Sequence, residues 1–175
     1  VRRAAIGGFA KRRSMSSSAP GFPWKQAMPA AIINAVINGW ISWGQFKASG
    51  SVPLTLDSIS GGSHTAVGSA VMVATALALI LTLVNFAVVH RHRPVDARLQ
   101  GGVVWRLAIS TAFGNAFKYF GVAVVAGLLW QRFAGTVAVS PLAATMLVAV
   151  VAGVVSALLV DQVERAYRAT ESGPP

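Results

Sequence analysis

Residues 66–89, AVGSAVMVATALALILTLVNFAVV, hold no charged side chain. A run of that length and polarity has few folded fates. A helix needs about 20 mostly apolar residues to cross the hydrocarbon core of a bilayer. Inside lipid, every backbone N–H and C=O must find a partner within the protein, and a helix satisfies them all locally. Composition agrees. The chain is 54% hydrophobic and only 11% charged, whereas soluble domains carry about 25% charged residues. Mean hydropathy is +0.61.

Three further stretches fit the same pattern. Residues 28–46 form one, with Pro29 acceptable in a first helical turn. Residues 141–163 form another, where Ser140 can cap and Pro141 takes the first helical position. Residues 103–130 are less tidy, because they contain Arg106 and Lys118. One helix through both charges is expected, with Arg106 at one interface and Trp130, Gln131 and Arg132 at the other. An interfacial helix to Lys118 followed by a separate span to about Val139 ranks second, because it would bury Arg132. The expected fold is all-α: an integral membrane four-helix transmembrane bundle of up-down topology. Residues 28–165 make the membrane domain. Residues 1–27 read as a flexible basic tail, with Met15 an alternative start, and 166–175 as a disordered tail.

The formal net charge is +10 over 175 residues. No basic-aromatic module or zinc spacing accompanies it, so nucleic acid is not an expected partner. Basic residues flanking spans explain it better. Arg2, Arg3, Lys11, Arg12, Arg13, Lys25, Arg91, Arg93, Arg98, Arg106, Arg165 and Arg168 would lie on one side. Lys47 and Arg132 would lie on the other. The positive-inside rule then puts both termini in the cytoplasm of an inner or plasma membrane. Arg91, Arg93, Arg98 and Arg106 become candidate lipid-headgroup contacts. Cysteine is absent, which excludes disulfides, thiolate metal sites and thiol catalysis. Three histidines at loop edges give no metal set, and neither an enzyme activity nor a cofactor is expected.

Polar side chains inside spans should point into the bundle or a wet cavity. Asn34, Asn38, Ser42 and Gln45 recur at spacings of three and four and share a helix face. Counted from the cytoplasmic ends, Asn34 lies roughly 8 Å deep, Asn85 roughly 6 Å, and Asn115 and Lys118 roughly 14 and 18 Å at 1.5 Å per residue. Asp161 sits at the same end of the fourth span. Asn34, Asn38, Asn85, Asn115, Lys118 and Asp161 therefore form a candidate intramembrane polar cluster. It reads either as a solute pathway or as hydrogen-bonded glue between helices. Lys118 has a bland reading too, snorkelling or pairing with Asp161. Small residues at Ser110 and Gly114, Ala123 and Gly127, and Ala66, Ala70, Ala74 and Ala78 suit close helix packing.

AIINAVINGWISWGQF at 31–46, then VPL, a small-residue-rich second span and a basic loop resemble a group of small uncharacterised four-span bacterial membrane proteins, some labelled permease-like. The resemblance covers residues 30–95 and implies a fold and a membrane address, with no active site to transfer. Four-span multidrug exporters are similar in size class, but they rely on a glutamate in their first span. The first three spans here hold no Asp or Glu. FGNAF at 113–117 is too short to carry a resemblance to fluoride channels. Two functions are expected from these residues. One is a permease-like protein moving an anionic or amphipathic solute. The other is an accessory or assembly subunit of a larger membrane complex, or a homo-oligomer.

Overall fold

A computed structural model describes residues 24–56, 64–94 and 100–171. Arg98 and the basic segment before Trp24 lie outside the described residues. The elements are α1 (Trp24–Phe46), β1 (Val52–Pro53), α2 (Ala66–His92), α3 (Gly101–Ala134), β2 (Ala138–Val139) and α4 (Pro141–Glu171). Among the described residues the regular structure is all helical apart from that two-residue strand pair. Helices α2, α3 and α4 are long and apolar enough to cross a membrane.

Local chemistry sets the helix ends. Thr65 caps α2, its hydroxyl accepting from Gly68 N at 3.3 Å. Ser140 does the same for α4 through Ala143 N at 3.3 Å. Helix α3 is continuous over 34 residues, straight through Arg106 and Lys118. It stops at Gly135, whose φ of 71° few other residues adopt and whose N–H reaches Gln131 O at 3.1 Å.

Two ends differ from expectation. Helix α1 starts at Trp24, so Pro29 falls in its second turn, where it offers no N–H to the Lys25 carbonyl. Helix α4 continues to Glu171, six residues into the expected tail. Val163 and Tyr167, one turn apart, are fully buried there. The Asp161–Arg165 and Glu164–Arg168 pairs, at 2.8 and 2.9 Å, brace the same turns.

The helices are not arranged as a closed bundle. Helix α1 packs along α4, α4 along α2, and α2 along α3, while α3 and α4 meet only briefly. Contact between α1 and α2, or α1 and α3, amounts to isolated points at most. The result is a row in the order α1–α4–α2–α3. Core pairings give the directions. Ala66 and Ala70 meet Ala144 and Val148 at one end, and Phe86 meets Val163 and Tyr167 at the other, so α2 and α4 run parallel. Phe86 also meets Val104 and Ala108 of the antiparallel α3. The ends are called here the strand end, closed by β1 and β2, and the basic end, where α2 finishes and α3 starts.

Small residues at every fourth position make this packing possible. Ala66, Ala70, Ala74 and Ala78 are buried on α2, and Ala108, Ala112 and Ala116 on α3. Stripes of that period interdigitate at crossing angles of about −40 to −50°. A Cβ at Gly153 would stand 3.3 Å from Ala31 O, so the α1 backbone lies directly against α4. A Cβ at Gly127 would stand 2.8 Å from Val67 Cγ1, with no room to spare. Ser110 and Gly114, expected to pack, face outward instead.

The strand pair is a device that sequence patterning missed. Val52 pairs with Val139 and Pro53 with Ala138, antiparallel. Leu54 N donates to Val137 O at 2.8 Å. This ties the α1–α2 connection to the α3–α4 connection. It also seats Val52 in the core beside Phe46, Ala66 and Ala144.

Candidate functional site

Most polar side chains within the helices are closed by their own backbone. Asn34 Nδ2 donates to Ala30 O at 2.9 Å, and Asn38 Nδ2 to Asn34 O at 2.8 Å. Thr75, Thr145 and Ser156 likewise donate to the carbonyl four residues earlier, at 2.7–2.8 Å. Such bonds satisfy a hydroxyl or amide without a second helix.

Two contacts between α3 and its neighbours are different. Asn115 Nδ2 donates to Thr82 Oγ1 at 3.1 Å, joining α3 to α2. Thr82 in turn donates to Ala78 O at 2.6 Å, so its hydroxyl both accepts and donates. One turn further along, Gln162 Nε2 donates to the Tyr119 hydroxyl at 3.0 Å. That bond is the polar part of the brief α3–α4 contact.

The charged network sits at the basic end of α2 and α4. Arg93 Nη2 reaches Glu164 Oε1 at 3.1 Å, and Arg93 Nε lies 3.3 Å from Glu171 Oε1. Its guanidinium carbon stands 5.5 Å from the Tyr167 ring centroid. Arg168 lands on the same Glu164 Oε1, at 2.9 Å through both Nε and Nη2. His90 Nδ1 and the Tyr167 hydroxyl share a hydrogen bond at 2.9 Å. The helical extension of α4 supplies Tyr167, Arg168 and Glu171. A chain read as ending its helix near Val163 gives no sign of them. The signal that could have found them is the continued i, i+4 spacing of Val163 and Tyr167.

The six residues expected to cluster do not meet as one group. Asn34 and Asn38 lie on α1, at one edge of the row, and Asn115 and Lys118 on α3, at the other. Matching depth did not bring them together, because α4 and α2 stand between. Asn115 bonds Thr82, and Asp161 pairs with Arg165 on its own helix. Lys118 is exposed on the outer side of α3. Its Nζ stands 5.9 Å from the ring centroid of Tyr119, and no carboxylate pairs with it among the described residues. Of the expected headgroup contacts, Arg91 and Arg106 are exposed. Arg93 instead turns into the network with Glu164.

Asn85 lines a cleft of about 400 Å³ at the basic end. Ala30 of α1, Val88, Val89, His92 and Arg93 of α2, and Val160 and Glu164 of α4 complete it. The cleft exists because α1 and α2 both lean on α4 and not on each other. At the strand end, Gln45 and Ser69 line a smaller cleft of about 220 Å³ between the same two helices. Ala30, Asn34, Asn38 and Gln45 fall on one flank of α1 by their spacing. The flank thus runs from one cleft towards the other.

Comparison with protein-family models, with curated proteins and with solved structures returned no match.

Proposed function

We propose that the protein is a multi-pass inner- or plasma-membrane protein that serves as a non-catalytic accessory or assembly subunit of a larger membrane complex, docking through the outer face of α3. The observation that carries this reading is Lys118. It lies twelve residues past Arg106 and fourteen before Arg132, which puts it about 18 and 21 Å from them along the helix. Those distances fall near the middle of a hydrocarbon core of about 30 Å. A lysine there costs about 2.5–3.5 kcal/mol on insertion scales. Among the described residues the contact that offsets this cost is the Tyr119 ring. A membrane helix carrying a carboxylate at the same depth would offset it by pairing the two charges. A symmetric contact with a second copy would instead bring two Lys118 side chains together.

In this reading α1 is the fourth span. Its 23 residues extend about 35 Å at 1.5 Å per residue. Its outward side chains, Ile32, Ile33, Val36, Ile37, Trp40 and Ile41, are apolar. Both termini face the cytoplasm, following the excess of Lys and Arg at the basic end. Because the chain has no cysteine, single-cysteine variants give clean labelling. Cysteines at Lys25 and Lys47 should react with impermeant reagents from opposite sides of the membrane. Labelling of both from one side would remove α1 as a span.

A permease-like role for an anionic or amphipathic solute keeps one supporting observation, the asparagine-bearing flank of α1 between the two clefts. The tests separate. Partner loss on Lys118→Met supports docking. Flux in proteoliposomes that survives Lys118→Met but fails in Asn38→Leu supports transport.

A further inference from the structure

We infer that the cleft at the basic end is a binding site for one zwitterionic phospholipid bearing a primary ammonium, with its headgroup between His92 and Glu164 and its glycerol backbone towards α1. The inference rests on insertion of the chain in a bilayer, and not on the docking reading.

The chemistry of the walls selects the headgroup. Glu164 receives Arg93 and Arg168 on one oxygen, Oε1. Both arginine contacts fall on that oxygen, so Oε2 is the oxygen assigned to an ammonium donor. His92 donates Nδ1–H to Val88 O at 2.8 Å. That commitment leaves Nε2 as the ring position open to a ligand. Arg93, in the same wall, adds positive potential on that side. Cationic and anionic groups thus stand in one cleft, and a headgroup with both signs matches both. A headgroup with phosphate alone leaves Glu164 opposing it.

The shape selects a lipid over a soluble phosphoester. Below the charged rim the walls are Ala30, Val88, Val89 and Val160. The cleft lies between α1 and α2, which do not pack on each other. A volume of about 400 Å³ is within the usual range of ligand pockets, about 300–1,000 Å³. Asn85 lines the cleft, and Asn34 follows Ala30 by one turn along the flank. Each Asn34 and Asn85 amide carries two N–H groups, and Asn34 spends one on Ala30 O. The remaining donors suit ester carbonyls, which only accept.

The test is native mass spectrometry of the full chain released from nanodiscs holding equal phosphatidylethanolamine and phosphatidylglycerol. The wild type should retain one phosphatidylethanolamine in preference to phosphatidylglycerol. Glu164→Gln should bind it about tenfold more weakly, as expected for loss of one charge-assisted contact. Because Glu164 also holds Arg93 and Arg168, Ala30→Phe provides a second variant that fills the cleft and leaves the ion pairs in place. It should lose the bound lipid while keeping the wild-type helical circular dichroism. Equal retention of both lipids by the wild type, or unchanged retention in both variants, overturns the proposal. Retention of soluble phosphoethanolamine but not of the lipid assigns the same chemistry to a free phosphoester and overturns the lipid occupant. A chain that stays out of the nanodisc overturns membrane insertion, and the proposal with it.

Discussion

Arg93 and Lys118 are both basic side chains on long apolar helices, yet the protein treats them in opposite ways. Arg93 lies past the end of α2 and is met by Glu164, Glu171 and the Tyr167 ring. Lys118 lies mid-helix on α3, turned away from the core, beside one aromatic ring of its own helix. The basic side chain past a helix end is the one the chain neutralises. The mid-helix one has no carboxylate partner among the described residues. The contrast teaches where charge balance is complete within the described residues and where it is open.

The contrast can be broken at several strengths. The largest effect is expected from Gly153→Leu. The new side chain has to enter where Ala31 O already stands 3.3 Å from a Cβ. Overpacking of this kind costs about 1–3 kcal/mol, and it should separate α1 from α4, read as earlier thermal unfolding in detergent. Arg93→Met comes next. It leaves Glu164 and Glu171 facing each other with Arg168 as the remaining cation. Partial exposure of the pair moderates the loss to about 1–2 kcal/mol, between the surface and buried limits. High salt should shrink that difference.

Asn115→Leu removes the α3–α2 bond to Thr82, and membrane interhelical bonds of this type average about 0.6 kcal/mol with a maximum near 1.7. The smallest effect is expected for Asn38→Leu. Its amide is tied to its own helix, so stability should change by less than about 0.5 kcal/mol. A large loss there would mean that α1 uses Asn38 against another surface, and would move the open chemistry from α3 to α1.

The same residues show what a sequence can and cannot convey. Charge-free runs and helical spacing mark the helices, and Ser140 before Pro141 marks the start of α4. The alanine stripe of α2 announces which face packs. Spacing says which side chains share a face, but not which helix covers that face. Depth counted along each helix put Asn34 and Asn115 in the same half of the helix set, though lateral order put two helices between them. Ser110 and Gly114 have the same small-residue spacing as Ala66 and Ala70, yet one pair faces outward and the other is buried. Nothing local distinguishes them. The same limit applies to the asparagines. A side chain that bonds the carbonyl four residues back looks, in sequence, identical to one that bonds a neighbour. The strand pair at Val52 and Val139 was out of reach for a different reason. Two-residue strands carry no periodicity, and their register depends on how the helices already stand.

The most direct test is photo-crosslinking from Phe117, on the outer face of α3 beside Lys118, in native membranes with and without Lys118→Met. A stoichiometric membrane partner is predicted, crosslinked through a segment that carries an Asp or Glu at bilayer depth, and lost when Lys118 becomes methionine. A crosslink that persists unchanged in Lys118→Met, or a monodisperse particle containing only this chain, would contradict the claim that Lys118 is completed from outside.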